Sequence, residues 1–88
     1  MNFGEVCIGL SAGGSFRHNS WENGEYIKEF KTGDENDLAM IEKTGLNVET
    51  MNEAPESVVL FIDEKNNTIS CFHSMDYFAD TSDCWEEA

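Results

Sequence analysis

Cysteine, histidine and clustered glycine are where a chain of 88 residues would first be searched for chemistry. Cys7, Cys71, Cys84, His18 and His73 contain no pair at the C-x-x-C or H-x-x-x-H spacing that brings two ligands onto one metal, so no zinc site is predicted. Cys71 and His73 flank Phe72 and share one face of a predicted strand, the nearest the sequence comes to a ligand pair. Ser11-Ala12-Gly13-Gly14-Ser15 has the glycines of a phosphate loop. It lacks the following Lys-Ser or Lys-Thr, and its helix comes before the loop instead of after it. Asp34-Glu35-Asn36-Asp37 lacks the spaced oxygen ligands and the glycine of a calcium loop. A nucleophilic site needs Ser or Cys beside an oriented base. Neither histidine lies in a recognisable motif for one, and the carboxylates are too many for any acid–base pair to stand out. The residue kit therefore predicts binding without catalysis, and neither cofactor nor metal.

Aromatic residues offer a different chemistry. Trp21, Phe72 and Trp85 fall at or near the ends of predicted elements, where a ligand-accessible surface would lie, and flat apolar rings stack well on purines. The competing reading is core filling, the commoner use of Trp and Phe.

The elements that must position these residues follow from caps, turns and periodicity. Asn2 with Glu5 has the form of a capping box, and Phe3, Val6, Cys7 and Leu10 recur at helical spacing, which predicts a short amphipathic helix ended by Gly13 and Gly14. A strand is predicted from Ser15 to Trp21, then a tight Asn23-Gly24 hairpin turn, then Glu25 to Lys31 returning antiparallel with Tyr26, Lys28 and Phe30 placed by alternation. Asp34 caps a second helix carrying Leu38, Met40 and Ile41, which stops at Gly45. The stretch from Asn47 to Ser57 is irregular, and Pro55 excludes a central strand there. Val58 to Ile62 is a near-continuous apolar run joined through Asp63–Asn67 to Thr68–Phe72, a second hairpin. Ser74 or Asp76 begins one helical turn through Ala79, and Cys84 to Glu87 closes as a short strand or ordered tail. The predicted fold is a single α+β domain over residues 1–88, an antiparallel sheet with a short N-terminal helix and one or two further short helices.

Charge bounds the partners. The formal net charge is −13, from 18 Asp+Glu against 5 Lys+Arg, which repels nucleic-acid backbones and anionic membrane surfaces. The same charge would suit a mimic of nucleic acid seated in a basic groove of another protein, or simply a solvated surface. Three cysteines, an odd number at unlike spacings with no leader-like segment before them, predict a reducing cytoplasm. No apolar run is long enough to span a membrane. So short a chain builds one small core, and oligomerisation is a ready source of added stability.

The order of these motifs resembles the Thoeris anti-defence 2 family, phage proteins that sequester the cyclic ADP-ribose signals of bacterial TIR-domain immunity. The resemblance covers residues 1–27 and 58–87. It rests on Met1-Asn2-Phe3-Gly4-Glu5 with Leu10 and Gly13, on His18-Asn19-Ser20-Trp21 with Asn23-Gly24 and Tyr26, on the Val58–Phe72 hairpin, and on Asp76-Tyr77-Phe78-Ala79 followed by Asp83-Cys84-Trp85-Glu86. His18 stands where the family has arginine, and Cys84 separates an aspartate and a tryptophan that are adjacent in the family. The resemblance implies a homo-oligomer, dimer or tetramer, in the cytoplasm of an infected bacterium, with a cyclic nucleotide bound between subunits and not cleaved. It implies Trp21 and Phe72 as stacking faces, Asn23 and Asp83 as partners of ribose hydroxyls, and Arg17 or Lys28 against the diphosphate. The alternative is an acidic, nucleic-acid-mimicking inhibitor of a host defence protein.

Overall fold

The computed structural model describes residues 1–50, 53, 55–72 and 83–88. Along the chain run α1 (Phe3–Ser11), β1 (Ser15–His18), β2 (Glu25–Lys31), α2 (Glu35–Glu42), a 3-10 turn (Val48–Thr50), β3 (Ser57–Asp63), β4 (Thr68–Cys71) and β5 (Trp85–Glu87). The strands form one sheet in the order β4-β3-β2-β1-β5, with every neighbouring pair antiparallel. This is the α+β fold that the pattern predicts, with the N-terminal helix first.

Local chemistry sets α1 at both ends. Asn2 Oδ1 accepts from Glu5 N at 2.9 Å and Glu5 Oε1 accepts from Asn2 N at 3.1 Å, a complete capping box. At the other end Gly14 N donates to Gly9 O at 2.9 Å and Gly13 N to Leu10 O at 3.0 Å. Gly13 has φ +94°, so the helix ends in a Schellman turn that only a residue without Cβ takes without strain. Phe3, Val6 and Leu10 form the buried face of α1. Gly9 lets the helix settle onto β1, because a Cβ there would lie 2.2 Å from Phe16 Cζ.

Both faces of the sheet are used, and unequally. On one face α1 covers Phe16, Ile27 and Trp85, with Val59, Phe61, Trp21 and Phe72 packed around them. On the other, Ile41 of α2 closes over Phe30, Leu60 and Ile62, with Tyr26, Val58 and Ile69 at the margin. Successive strand residues point to opposite faces, so the unbroken run Val58–Ile62 supplies both clusters at once. No residue of β1 or β5 belongs to the cluster under α2. The two helices are therefore staggered: α1 lies over β1 and β2, whereas α2 lies over β2, its apolar residues reaching β3 and the margin of β4, clear of β1 and β5. On the α2 face, β1 and β5 carry no apolar cluster among the described residues.

Several expected boundaries move. β1 ends at His18, not Trp21, and Trp21 lies in the connection to β2. Ser15 pairs with Lys28 and Phe16 with Ile27, so Asn23-Gly24 is not a two-residue hairpin turn. Asn23 and Gly24 still hold the two central positions of a turn, closed by Glu25 N donating to Glu22 O at 3.2 Å, but only Gly24 has positive φ, and this turn is the last part of a longer connection. The tertiary reason is Trp21, whose burial against the α1-side cluster draws the chain out of the ladder after His18. A 3-10 turn occupies Val48–Thr50 within the stretch expected to be irregular. β4 ends at Cys71, one residue before Phe72. The helical turn expected from Ser74 or Asp76 to Ala79, and His73, lie outside the described residues.

Candidate functional site

On the α2 face, the half of the sheet that α2 leaves uncovered is a cleft of about 390 Å³, within the roughly 300–1,000 Å³ range of small-molecule sites. Ser15 and Arg17 of β1, Tyr26 and Lys28 of β2, Asn23 of the connecting loop and Glu64 of the β3–β4 turn line it. Strand alternation explains the four strand side chains, since Ser15 and Arg17 share a face, Tyr26 and Lys28 share a face, and the pairing of Ser15 with Lys28 makes it the same face. Glu25 at the start of β2 and Ala88 also border the cleft, so its two cations stand beside the carboxylates of Glu25 and Glu64. Two of the chain's five Lys and Arg residues thus converge on one surface of a strongly acidic molecule.

The two cations are held differently. Arg17 is largely buried. Its Nη1 donates to Glu86 Oε1, its Nη2 donates to the carbonyl oxygen of Trp21, and its Nε is shut off from solvent with no hydrogen-bond partner among the described residues. Arg17 and Glu86 sit directly opposite in the β1–β5 pairing. Lys28 has no carboxylate within ion-pair distance among the described residues, and its ammonium lies 5.6 Å from the centroid of the Phe30 ring. Tyr26 donates its hydroxyl to Glu64 Oε1 at 3.2 Å. Burial first, and then the Glu64 hydrogen bond and charge, push its phenol up from the usual tyrosine value, which keeps it protonated and able to donate.

Of the six residues assigned by the resemblance, Arg17, Asn23 and Lys28 come together here and the other three do not. Trp21 lies on the opposite face, edge-on to Phe61 at 5.1 Å, to Trp85 at 5.2 Å and to Phe72 at 6.2 Å. Its ring serves an aromatic cluster, and the core-filling reading describes its surroundings. Phe72 belongs to the same cluster and lines a recess of about 180 Å³ with Phe3, Cys7 and Val59. Asp83 stands 3.3 Å from the Met1 amino group, where Met1 and Trp85 exchange backbone hydrogen bonds of 3.0 and 3.1 Å. This carboxylate helps clasp β5 to the start of α1.

His18 also faces away from the cleft. Its ring meets Trp85 edge-on at 5.3 Å. Nδ1 accepts from Ser20 N at 3.2 Å and lies 2.6 Å from Ser20 Oγ. Acceptance from a backbone N–H fixes the neutral ring as the Nε2–H tautomer. No carboxylate among the described residues hydrogen-bonds the ring. Among the described residues no group of three or more His, Cys, Asp or Glu is arranged to hold a metal ion. Cys7, Cys71 and Cys84 are free thiols, and burial raises the Cys7 thiol above its usual range.

Sequence reasoning missed Ser15, Glu64 and the ring of Tyr26 as cleft residues. The signal for Tyr26 was present, since it alternates with Lys28 and Phe30 on one face. Nothing local marks Ser15 or Glu64, which arrive through strand pairing. No family model matches the chain, and no curated protein matches it. No helix among the described residues is long and apolar enough to cross a membrane.

Proposed function

We propose that the protein is a non-catalytic binding protein that sequesters a phosphate-bearing nucleotide signal, in the manner of the cyclic ADP-ribose sponges its motif order resembles, and that the cleft beside α2 is its ligand site. The observation that carries this reading is the convergence of Lys28 and Arg17 with an aromatic ring and an amide on one open sheet face of an otherwise acidic chain. Each group has a role suited to such a ligand. Lys28 and Arg17 meet the phosphates, Tyr26 offers the ring edge and hydroxyl nearest a base or ribose, and Asn23 supplies both donor and acceptor to sugar hydroxyls.

The assignment of roles differs from the one drawn from the resemblance. Tyr26 replaces Trp21 and Phe72 as the aromatic of the site, and Asp83 leaves it. The cleft opens on one side to solvent, so a second copy of the chain closing over it accounts for the shared site of the family. Sequestration needs affinity and abundance alone, and nanomolar binding corresponds to about −12 kcal/mol.

Isothermal titration against cyclic ADP-ribose isomers, ADP-ribose and cyclic dinucleotides tests the reading. Saturable binding of at least one of them, lost in Lys28→Met with the melting temperature kept, is the expected result. If none of the nucleotides binds, the reading fails and the acidic-inhibitor alternative takes its place. Ligand released intact on heating marks a sponge, and cleaved ligand marks an enzyme.

A further inference from the structure

Arg17 is immobilised on one side and exchangeable on the other. The Trp21 carbonyl fixes Nη2, burial encloses Nε, and only Nη1 reaches a partner able to leave, the carboxylate of Glu86. The side chain of Glu86 is 50% exposed, against 18% for Arg17, so the carboxylate has more open solvent to turn into than the guanidinium has. Glu86 also sits on β5, an edge strand of three residues whose only ladder partner among the described residues is β1. Arg17 lines the cleft together with Lys28, so an anion reaching both cations would compete with the Glu86 carboxylate for Nη1.

We propose that Glu86 is a built-in competitor for the ligand's anionic group: it occupies Arg17 in the free protein and swings out to solvent when a phosphate takes its place. The inference rests on the reading of the cleft as a phosphate-binding site. It assigns Glu86 the role of setting how much anionic charge a ligand must carry to bind. A single weak anion does not displace it, whereas a diphosphate spanning Lys28 and Arg17 does, because two charge-assisted contacts replace one. Arg17 thereby stays neutralised while the site is empty, which avoids an uncompensated, largely buried guanidinium.

The test is titration of the wild type, Glu86→Gln, Glu87→Gln and Lys28→Met with inorganic pyrophosphate and with ADP-ribose, each variant first checked for an unchanged melting transition. Glu87 is the control, since it neighbours Glu86 on β5 and pairs with Phe16 on the α1 face, so its substitution removes the same charge away from Arg17. Glu86→Gln is expected to bind both probes about five- to tenfold more tightly than the wild type, with Glu87→Gln unchanged. Equal affinity of Glu86→Gln and wild type, with binding still lost in Lys28→Met, overturns the competitor role and leaves the site standing. An equal gain in both glutamate variants overturns it too, by assigning the effect to overall charge. No binding of either probe by wild type or Glu86→Gln removes the site and the inference together.

Discussion

Lys28 and Trp21 are the residues at which a substitution separates site from scaffold. Lys28 is half-buried beside Phe30 with no carboxylate partner among the described residues, and methionine keeps its unbranched stem, so Lys28→Met should leave stability within about 0.5 kcal/mol while abolishing nucleotide binding, read by titration and thermal melting on one sample. Trp21 is the reverse case. The resemblance implied a stacking face there, whereas its edge-on contacts with Phe61, Trp85 and Phe72 make it part of the cluster under α1. Trp21→Ala should therefore cost about 3 kcal/mol of folding stability, measured by urea denaturation, with Trp21→Phe costing less. An Ala variant of wild-type stability would return Trp21 to the surface as a ligand contact. The type and position of Trp21 were legible in the chain, but its neighbours were not, because residues at 61, 72 and 85 meet only once the sheet forms.

Among the elements, α1 is the one most fully written in the sequence. Its capping box, apolar spacing and glycine stop all lie within 14 residues and are all realised. Asn2→Ala should cost about 1 kcal/mol. Gly9 was not legible, since its reason is the Phe16 ring of another element. Gly9→Ala should cost about 1–3 kcal/mol through displacement of α1 from the sheet, despite the better helix propensity of alanine, and a chemical denaturation curve reads the sign directly. In the β1–β2 connection the Asn23-Gly24 turn forms as its local signal predicts, while the packing of Trp21 against the α1-side cluster ends β1 at His18 and lengthens the loop before that turn.

The β3–β4 turn carries a pH signature of its own. Asn66 donates its backbone N–H to Asp63 Oδ1 and its side-chain amide to Oδ2, which holds the Asp63 carboxyl below the usual aspartate value. A lowered folded pKa gives stability that is present above the unfolded value of about 3.9 and is lost as pH falls through the lower folded value. Amide exchange at Asn66 and Asn67 should accelerate across that acid window in the wild type, and Asp63→Asn should show no such step.

At the scale of the whole molecule, a charge of −13 on 88 residues is a self-repulsion that the fold must overcome. Added sodium chloride should raise the melting temperature as screening sets in over about 10 Å at 0.1 M, and a melting temperature that falls with salt would point to attractive pairs as the dominant electrostatics. Charge, fold class and the order of elements were readable from composition and pattern. The cleft was not, because it exists where the two helices are staggered across a sheet, a relation between faces that no single segment encodes. That stagger leaves the Arg17 and Lys28 face open, and on it the functional reading depends. The most direct measurement is titration of the native protein with intact cyclic ADP-ribose isomers, followed by heat release and mass analysis of the ligand. Saturable binding that Lys28→Met removes, with the nucleotide recovered unchanged, is the result predicted; absence of binding to every isomer, or recovery of a cleaved product, would contradict it.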